Sequence, residues 1–142
     1  MTGWIKRLPF FVILMGIGAL AMLIPAIHAL ALGDFGTMRV FFYGFILFSL
    51  LSLILGFATA NYAPVSVARS QLMALLAAFT ALPVMLAVPF YEAVGDTSFL
   101  NAWFEMVSSL TTTGATVYDN AGRLSPSLHL WRGLVGWLGG LL

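Results

Sequence analysis

The sequence has no cysteine at all and only two histidines. Without cysteine, the chain has no disulfide, no thiol nucleophile and no thiolate metal site. His28 and His129 stand far apart and lack the spacing of a metal-ligand pair. No nucleotide-binding loop or serine-elbow motif occurs either. We therefore expect a protein that is not an enzyme and holds no cofactor.

Charge is too scarce for a soluble domain or for a nucleic-acid partner. Charged residues make up 8% of the 142 residues, whereas soluble domains carry about 25%. The net charge is +1, and no basic run is present that would favour nucleic acid. Hydrophobic residues, at 61%, give the chain a mean hydropathy of +1.03. This composition predicts an all-α integral membrane protein surrounded by lipid.

Three long apolar stretches predict membrane-spanning helices near residues 8–32, 39–60 and 71–91. The first runs for 25 residues without a formal charge, long enough to cross a hydrocarbon core of about 30 Å with some tilt. Lys6 and Arg7 before this run, with an Ala-Leu-Ala triplet at its end, also fit a signal peptide. The run is longer than the usual apolar part of a signal, so we favour a spanning helix.

Proline and the end of the sequence mark further boundaries. Pro25, Pro83 and Pro89 predict bends or early helix ends, and residues 61–64 are expected to break the second span. A fourth apolar helix is predicted from about residue 127, and the sequence stops inside it. We therefore expect a partial chain whose last helix is truncated.

The fourth apolar segment carries one charge and several glycines. Arg132, near its start, is expected to extend its guanidinium toward the membrane interface. Gly136 and Gly140 form a G-x-x-x-G pair, which suits close packing against a neighbouring helix.

A short amphipathic helix is predicted over residues 98–111, between the third and fourth apolar segments. Its polar face carries Asn101, Glu105 and Ser108. At about 1.5 Å per residue it reaches only about 20 Å, too short to cross a bilayer. This pattern is typical of a re-entrant pore helix. We interpret Glu105 as structural, holding backbone donors behind the next segment, and a direct functional role stays open.

The strip T-T-T-G-A-T-V at residues 111–117 follows this helix. Threonine and valine favour extended backbone, and glycine admits positive φ, so consecutive carbonyls can turn toward a common axis. Rings of such carbonyls replace the hydration shell of K⁺. The predicted ion-binding residues are Thr112, Thr113, Gly114, Ala115 and Thr116, with K⁺ at Thr112, Thr113 and Gly114.

The same residues resemble a known family. The run S-S-L-T-T-T-G-A-T at residues 108–116 resembles the first pore loop of the TrkH/KtrB superfamily of potassium transporters. Trp131 and Arg132, with W-L-G-G at residues 137–140, resemble the start of the helix that follows it. The resemblance implies that residues 1–69 form two leading transmembrane helices. It also implies that residues 70–142 form the first of four non-identical helix–pore loop–helix units of a longer chain.

The resemblance further implies a function and partners. It makes Gly114 the key filter glycine and K⁺ the transported ion, with Na⁺ or H⁺ left open as additional ions. It implies a homodimer in a bacterial inner membrane, regulated by a cytosolic nucleotide-binding subunit of the TrkA type. A pore loop that enters from outside places the N-terminus in the cytoplasm, although the positive charges are balanced on the two sides.

Other interpretations stay open at this point. One is a non-transporting membrane protein whose polar loop binds a partner. Another is an intramembrane enzyme, for which we find no nucleophile–base or carboxylate pair on the spanning helices. Four copies of this short chain could also assemble around one pore.

Overall fold

The structure is a computed structural model that describes residues 9–61 and 66–142. Within these ranges it contains helices and no strand, which confirms the all-α prediction. Lys6, Arg7 and residues 62–64 of the predicted break lie outside the described residues. The helices are α1 (Phe10–Ala21), α2 (Leu23–Ala31), α3 (Phe35–Thr59), α4 (Val67–Thr80), α5 (Leu82–Val94), α6 (Phe99–Leu110) and α7 (Pro126–Gly140), with a 3₁₀ turn at Ala121–Arg123.

Three stretches of the described chain are long and apolar enough to cross a membrane, as predicted. Much of their apolar surface is open: Leu50, Leu53 and Ile54 of α3 are each more than half exposed. Such a surface needs lipid or further protein around it, which agrees with an integral membrane protein. The three stretches are Phe10–Ala31, Phe35–Thr59 and Val67–Val94.

Two of the three spans are interrupted close to a proline. The first is divided at Met22, three residues before Pro25, and the third at Ala81, two residues before Pro83. A proline ring clashes with the carbonyl four residues earlier, so each helix ends just before that clash would arise. Pro89 differs, because it lies inside α5 without ending it.

Side-chain caps place two helix starts earlier than predicted. The helix α3 begins at Phe35 rather than residue 39, because the Asp34 carboxylate accepts a hydrogen bond from the Thr37 backbone N–H at 3.1 Å. Hydrogen bonds from Thr37 hold the pKa of Asp34 below its ordinary value. Likewise α4 begins at Val67 rather than residue 71, with Ser66 as its cap.

Trp131 of α7 joins three helices at the centre of the buried core. Its side chain is fully buried, and its indole N–H donates to the Leu86 carbonyl of α5 at 3.2 Å. Its ring meets Phe41 of α3 edge-on, with 5.4 Å between centroids. Nearby, His28 of α2 and Ser127 of α7 are hydrogen-bonded at 2.9 Å. The leading helices thus pack directly against the last one.

The fold predicts that both ends of the segment between α5 and α7 face the same side of the membrane. Because the chain has no native cysteine, Asp96→Cys and Asp119→Cys should each react with a membrane-impermeant maleimide. Both residues are exposed. We expect them to be labelled from the same side, and Asn61→Cys, at the far end of α3, from the other. Labelling of residues 96 and 119 from opposite sides would make the segment between them a full span.

Candidate functional site

The helix α6 is short, and the strip that follows it brings the chain back to the N-terminal end of the helix. It has 12 residues, or about 18 Å, and begins where the Ser98 hydroxyl accepts from the Asn101 N–H. Thr97, just before it, and Tyr118, just after the strip, share a hydroxyl hydrogen bond of 2.8 Å. Asp96 and Arg123 form an ion pair of 3.2 Å beside them. Helix and strip therefore make a hairpin whose two ends meet.

The C-terminus of α6 is closed by its own backbone. The N–H of Thr113 donates to the Ser108 carbonyl at 2.9 Å, and the N–H of Thr112 donates to Ser109 at 3.0 Å. These two bonds form a Schellman motif, which places Thr112 in the left-handed region at φ 58°. Glycine is usual there, and a β-branched residue costs roughly 1–2 kcal/mol. The sequence pattern did not indicate this strained threonine.

Gly114 is the second residue of the strip with positive φ, at 76°. A Cβ added at this position would meet nothing within 4 Å. The surrounding space would therefore accept a side chain here. Glycine is favoured because the backbone has positive φ. Any side chain at residue 114 would extend into the open face of the strip.

The carbonyls of the strip fall into two groups. Among the described residues, the carbonyls of residues 111–114, 116 and 117 accept no hydrogen bond, and all of these residues are exposed. The carbonyl of Ala115, in contrast, accepts from the Ser108 hydroxyl at 2.6 Å. Four consecutive carbonyls, from Thr111 to Gly114, thus have no hydrogen-bond partner, and the next one is held against α6.

A buried carboxylate holds the C-terminal end of the strip. Glu105 of α6 is fully buried. Its Oε1 accepts from the Thr116 hydroxyl at 2.6 Å and from the Val117 N–H at 2.7 Å. The Thr116 oxygen in turn accepts from the Tyr118 N–H at 3.1 Å. This arrangement agrees with the interpretation that Glu105 holds backbone donors behind the strip.

Arg132 of α7 supplies the opposite charge. Its Nε lies 3.1 Å from Glu105 Oε2, and its side chain is 23% exposed. The guanidinium therefore points to the buried carboxylate rather than outward as predicted. A buried carboxylate needs such a partner, because an isolated charge is expensive in an apolar surrounding. The sequence signal was available: Arg132 is the charged residue of the last apolar segment, and Glu105 the acid of the short helix.

Glycines of α7 let it touch the end of α6 directly. At Gly139 a Cβ would overlap the Leu110 carbonyl, and at Gly136 it would lie 3.4 Å from the Ser109 carbonyl. The close approach therefore uses Gly136 and Gly139, whereas Gly140 of the predicted pair lies farther away, near the Thr112 methyl.

A cleft of about 430 Å³ opens beside the strip. Ser109, Thr112 and Gly114 line one wall, and His129 and Arg132 of α7 line the other. The structure thus brings the predicted strip residues together in one exposed hairpin and adds Ser108, Glu105 and Arg132 behind it.

Comparison with known proteins finds similarity to ion transporters. No protein-family model matches the chain. The Trk system potassium uptake protein TrkI of Halomonas elongata is 42% identical over 66 residues, which is 46% of this chain and 12% of the relative. The chain is similar to Trk-type potassium transporters. This similarity confirms the resemblance to the TrkH/KtrB superfamily.

A second curated relative extends the similarity. An uncharacterized cation transporter of Methanocaldococcus jannaschii is 36% identical over 55 residues, or 39% of this chain. The match again spans 12% of the relative's length. The matched segments are therefore a small part of much longer proteins, and both relatives carry names of ion transporters.

The backbone contact at Gly139 yields a stability prediction. Gly139→Ala should lower the stability of the purified protein by about 1–3 kcal/mol, because the added methyl group overlaps the Leu110 backbone. Gly133→Ala is the matched control on the same helix, where a Cβ meets nothing within 4 Å. That control should be neutral or stabilising, since alanine favours helix. Equal melting temperatures in detergent for the two variants would contradict the contact.

Proposed function

We propose that this chain supplies one pore loop of a K⁺ transport pathway. The observation that carries the proposal is the row of unpartnered carbonyls at the end of a short helix, which includes those of Thr112, Thr113 and Gly114. Carbonyl oxygens replace water around K⁺, and their dipoles favour a cation over an anion. The similarity to Trk-type transporters supports the same ion.

The surroundings of the strip favour a cation. The C-terminal end of α6 points at the strip, and a helix C-terminus carries the equivalent of about half a negative charge. Threonine hydroxyls border the same face, where Thr111 and Thr113 are hydrogen-bonded to each other at 2.7 Å. The open residues Thr112, Thr113 and Gly114 are the proposed K⁺ ligands. Ala115 and Thr116, which contact α6, complete the strip.

One loop does not make a filter. Carbonyl filters are built as rings, so about four such loops must surround one axis. We propose that residues 1–69 are leading helices and residues 70–142 the first helix–pore loop–helix unit. Further units then close the ring.

The similarity also supports proposals on location and partners. We place the protein in a bacterial inner membrane with a cytoplasmic N-terminus, as a homodimer regulated by a cytosolic nucleotide-binding subunit of the TrkA type. K⁺ is the proposed cargo, and additional Na⁺ or H⁺ would be found by ion-substitution uptake assays.

Replacing the filter glycine should change ion selection more than folding. In the assembled transporter, Gly114→Ser should raise the K⁺ concentration for half-maximal uptake by about tenfold, or reduce discrimination against Na⁺. The reason is that a Cβ at φ 76° is strained and pulls a carbonyl from its direction. The measurement is K⁺ and Na⁺ uptake in cells that lack other K⁺ systems.

Gly95→Ser is the matched control for this experiment. Gly95 has φ 77°, and a Cβ there also meets nothing within 4 Å, but it ends α5 in the outer loop. It should cost similar backbone strain and leave ion selection unchanged. If the Gly114 variant keeps normal K⁺ affinity and Na⁺ discrimination, the strip is not in the ion path. A polar loop that binds a partner would then be the better explanation.

The assembly proposal gives a separate prediction. The 142-residue chain, reconstituted alone in liposomes, should not conduct K⁺, because it supplies one loop of about four. A rubidium flux assay with potassium-loaded vesicles measures this directly. Robust uptake by the short chain would favour an assembly of four copies over a longer polypeptide.

A further inference from the structure

We propose that Glu105 and Arg132 are a positioning pair that sets the discrimination between K⁺ and Na⁺, although neither touches the ion. This proposal rests on the proposed function of the strip as an ion filter. It assigns selectivity in this unit to a buried ion pair between α6 and α7, located behind the carbonyls.

The carboxylate controls the C-terminal end of the strip through short contacts. Glu105 Oε1 holds Thr116 by its hydroxyl and Val117 by its backbone N–H, at 2.6 and 2.7 Å. Charge-assisted hydrogen bonds of this length are roughly twice as strong as neutral ones. Ser108, one turn along the same helix, holds the Ala115 carbonyl. Three consecutive residues of the strip are therefore attached to one face of α6.

The N-terminal end of the strip is fixed by different bonds. There the backbone N–H groups of Thr112 and Thr113 donate to the last turn of α6. The open carbonyls thus lie on a short segment held at both ends. Displacement of either end changes the directions of these carbonyls, on which the preference between two cations of different size depends.

Glu105 is placed to act through the strip and not on the ion. Its side chain has no exposed surface. Its Oε1 accepts two hydrogen bonds, and its Oε2 lies 3.1 Å from Arg132 Nε in an ion pair without a hydrogen bond. Arg132 also offsets its negative charge, so the pair presents little net charge to the pathway. An ion ligand would instead be exposed, and its attraction for cations would increase once the neighbouring guanidinium was removed.

The experiment is a double-mutant cycle in the assembled transporter. The variants are Glu105→Gln, Arg132→Gln and the double variant, with K⁺ and Na⁺ uptake and the amount of protein in the membrane measured for each. We expect each single variant to reduce the preference for K⁺ over Na⁺ by about tenfold, because either change leaves one charge of the buried pair without its partner. The double variant should lose less than the product of the two single losses, because it leaves no unpaired buried charge.

Conservative variants provide a second test if an uncharged glutamine variant does not accumulate in the membrane. Arg132→Lys retains the charge and should preserve most of the K⁺ preference. Glu105→Asp is one methylene shorter and should impair K⁺ affinity more than maximal uptake per molecule. A variant that only weakened folding would lower the amount of protein and leave the K⁺ to Na⁺ ratio of the remaining molecules unchanged, which would overturn the proposal.

The pair Asp96 and Arg123 provides a matched control. Like the buried pair, it joins a carboxylate to a guanidinium, here at 3.2 Å. The side chains of Asp96 and Arg123 are, however, 75% and 45% exposed. Asp96→Asn should leave the ion preference unchanged, since Arg123 keeps its bond to the backbone carbonyl of residue 96.

The outcomes separate this proposal from the proposed function. Multiplicative losses in the cycle, or a rise in cation affinity in Arg132→Gln, would overturn the positioning pair. If Gly114→Ser alters ion selection and the Glu105 and Arg132 variants do not, the proposed filter is supported and the proposed positioning pair is wrong. If the unaltered transporter takes up no K⁺, the proposed function itself is wrong.

Discussion

The backbone polar groups at a helix end need partners, and this constraint governs the hairpin of α6 and its strip. A chain that turns back halfway leaves the last carbonyls of its helix and the whole return segment without helical partners. The structure satisfies most of them from within. The Schellman bonds close the helix end, Ser108 takes one carbonyl, and Glu105 takes one N–H. The carbonyls of Thr112, Thr113 and Gly114 are among those left without a partner, and they are the proposed ion ligands.

The two kinds of anchor carry opposite energetic consequences. The positive φ of Thr112 strains the backbone of the strip. The hydrogen bonds of Glu105 and Ser108 stabilise the attachment of the strip to α6. Arg132 then removes the penalty of a buried charge. The helix α7 is therefore part of the site, since it brings the guanidinium behind the strip, and Trp131 fixes that helix in the core.

Much of this arrangement could be predicted from the sequence, and the limits are physical. Apolar length identified the three spans, and the T-T-T-G strip identified the hairpin, because both signals are local. The starts of α3 and α4 were placed too late, since the caps at Asp34 and Ser66 extend helix over polar residues. The sequence marked Glu105 and Arg132 as the charged residues of their segments, but that they meet depends on how α6 and α7 pack, which a local pattern does not specify. The strain at Thr112 follows from tertiary bonds, and threonine itself gives no sign of it.

The direct contact of Gly139 with the Leu110 backbone has a mechanical consequence. No side chain lies between the two helices at that point, so neither rotamer changes nor soft packing can absorb a displacement. A sideways shift of α7 must therefore push the last turn of α6, and with it the root of the strip. Arg132 lies about two turns earlier on the same helix, so α7 acts on the start of the strip through the last turn of α6 and on its C-terminal end through Glu105.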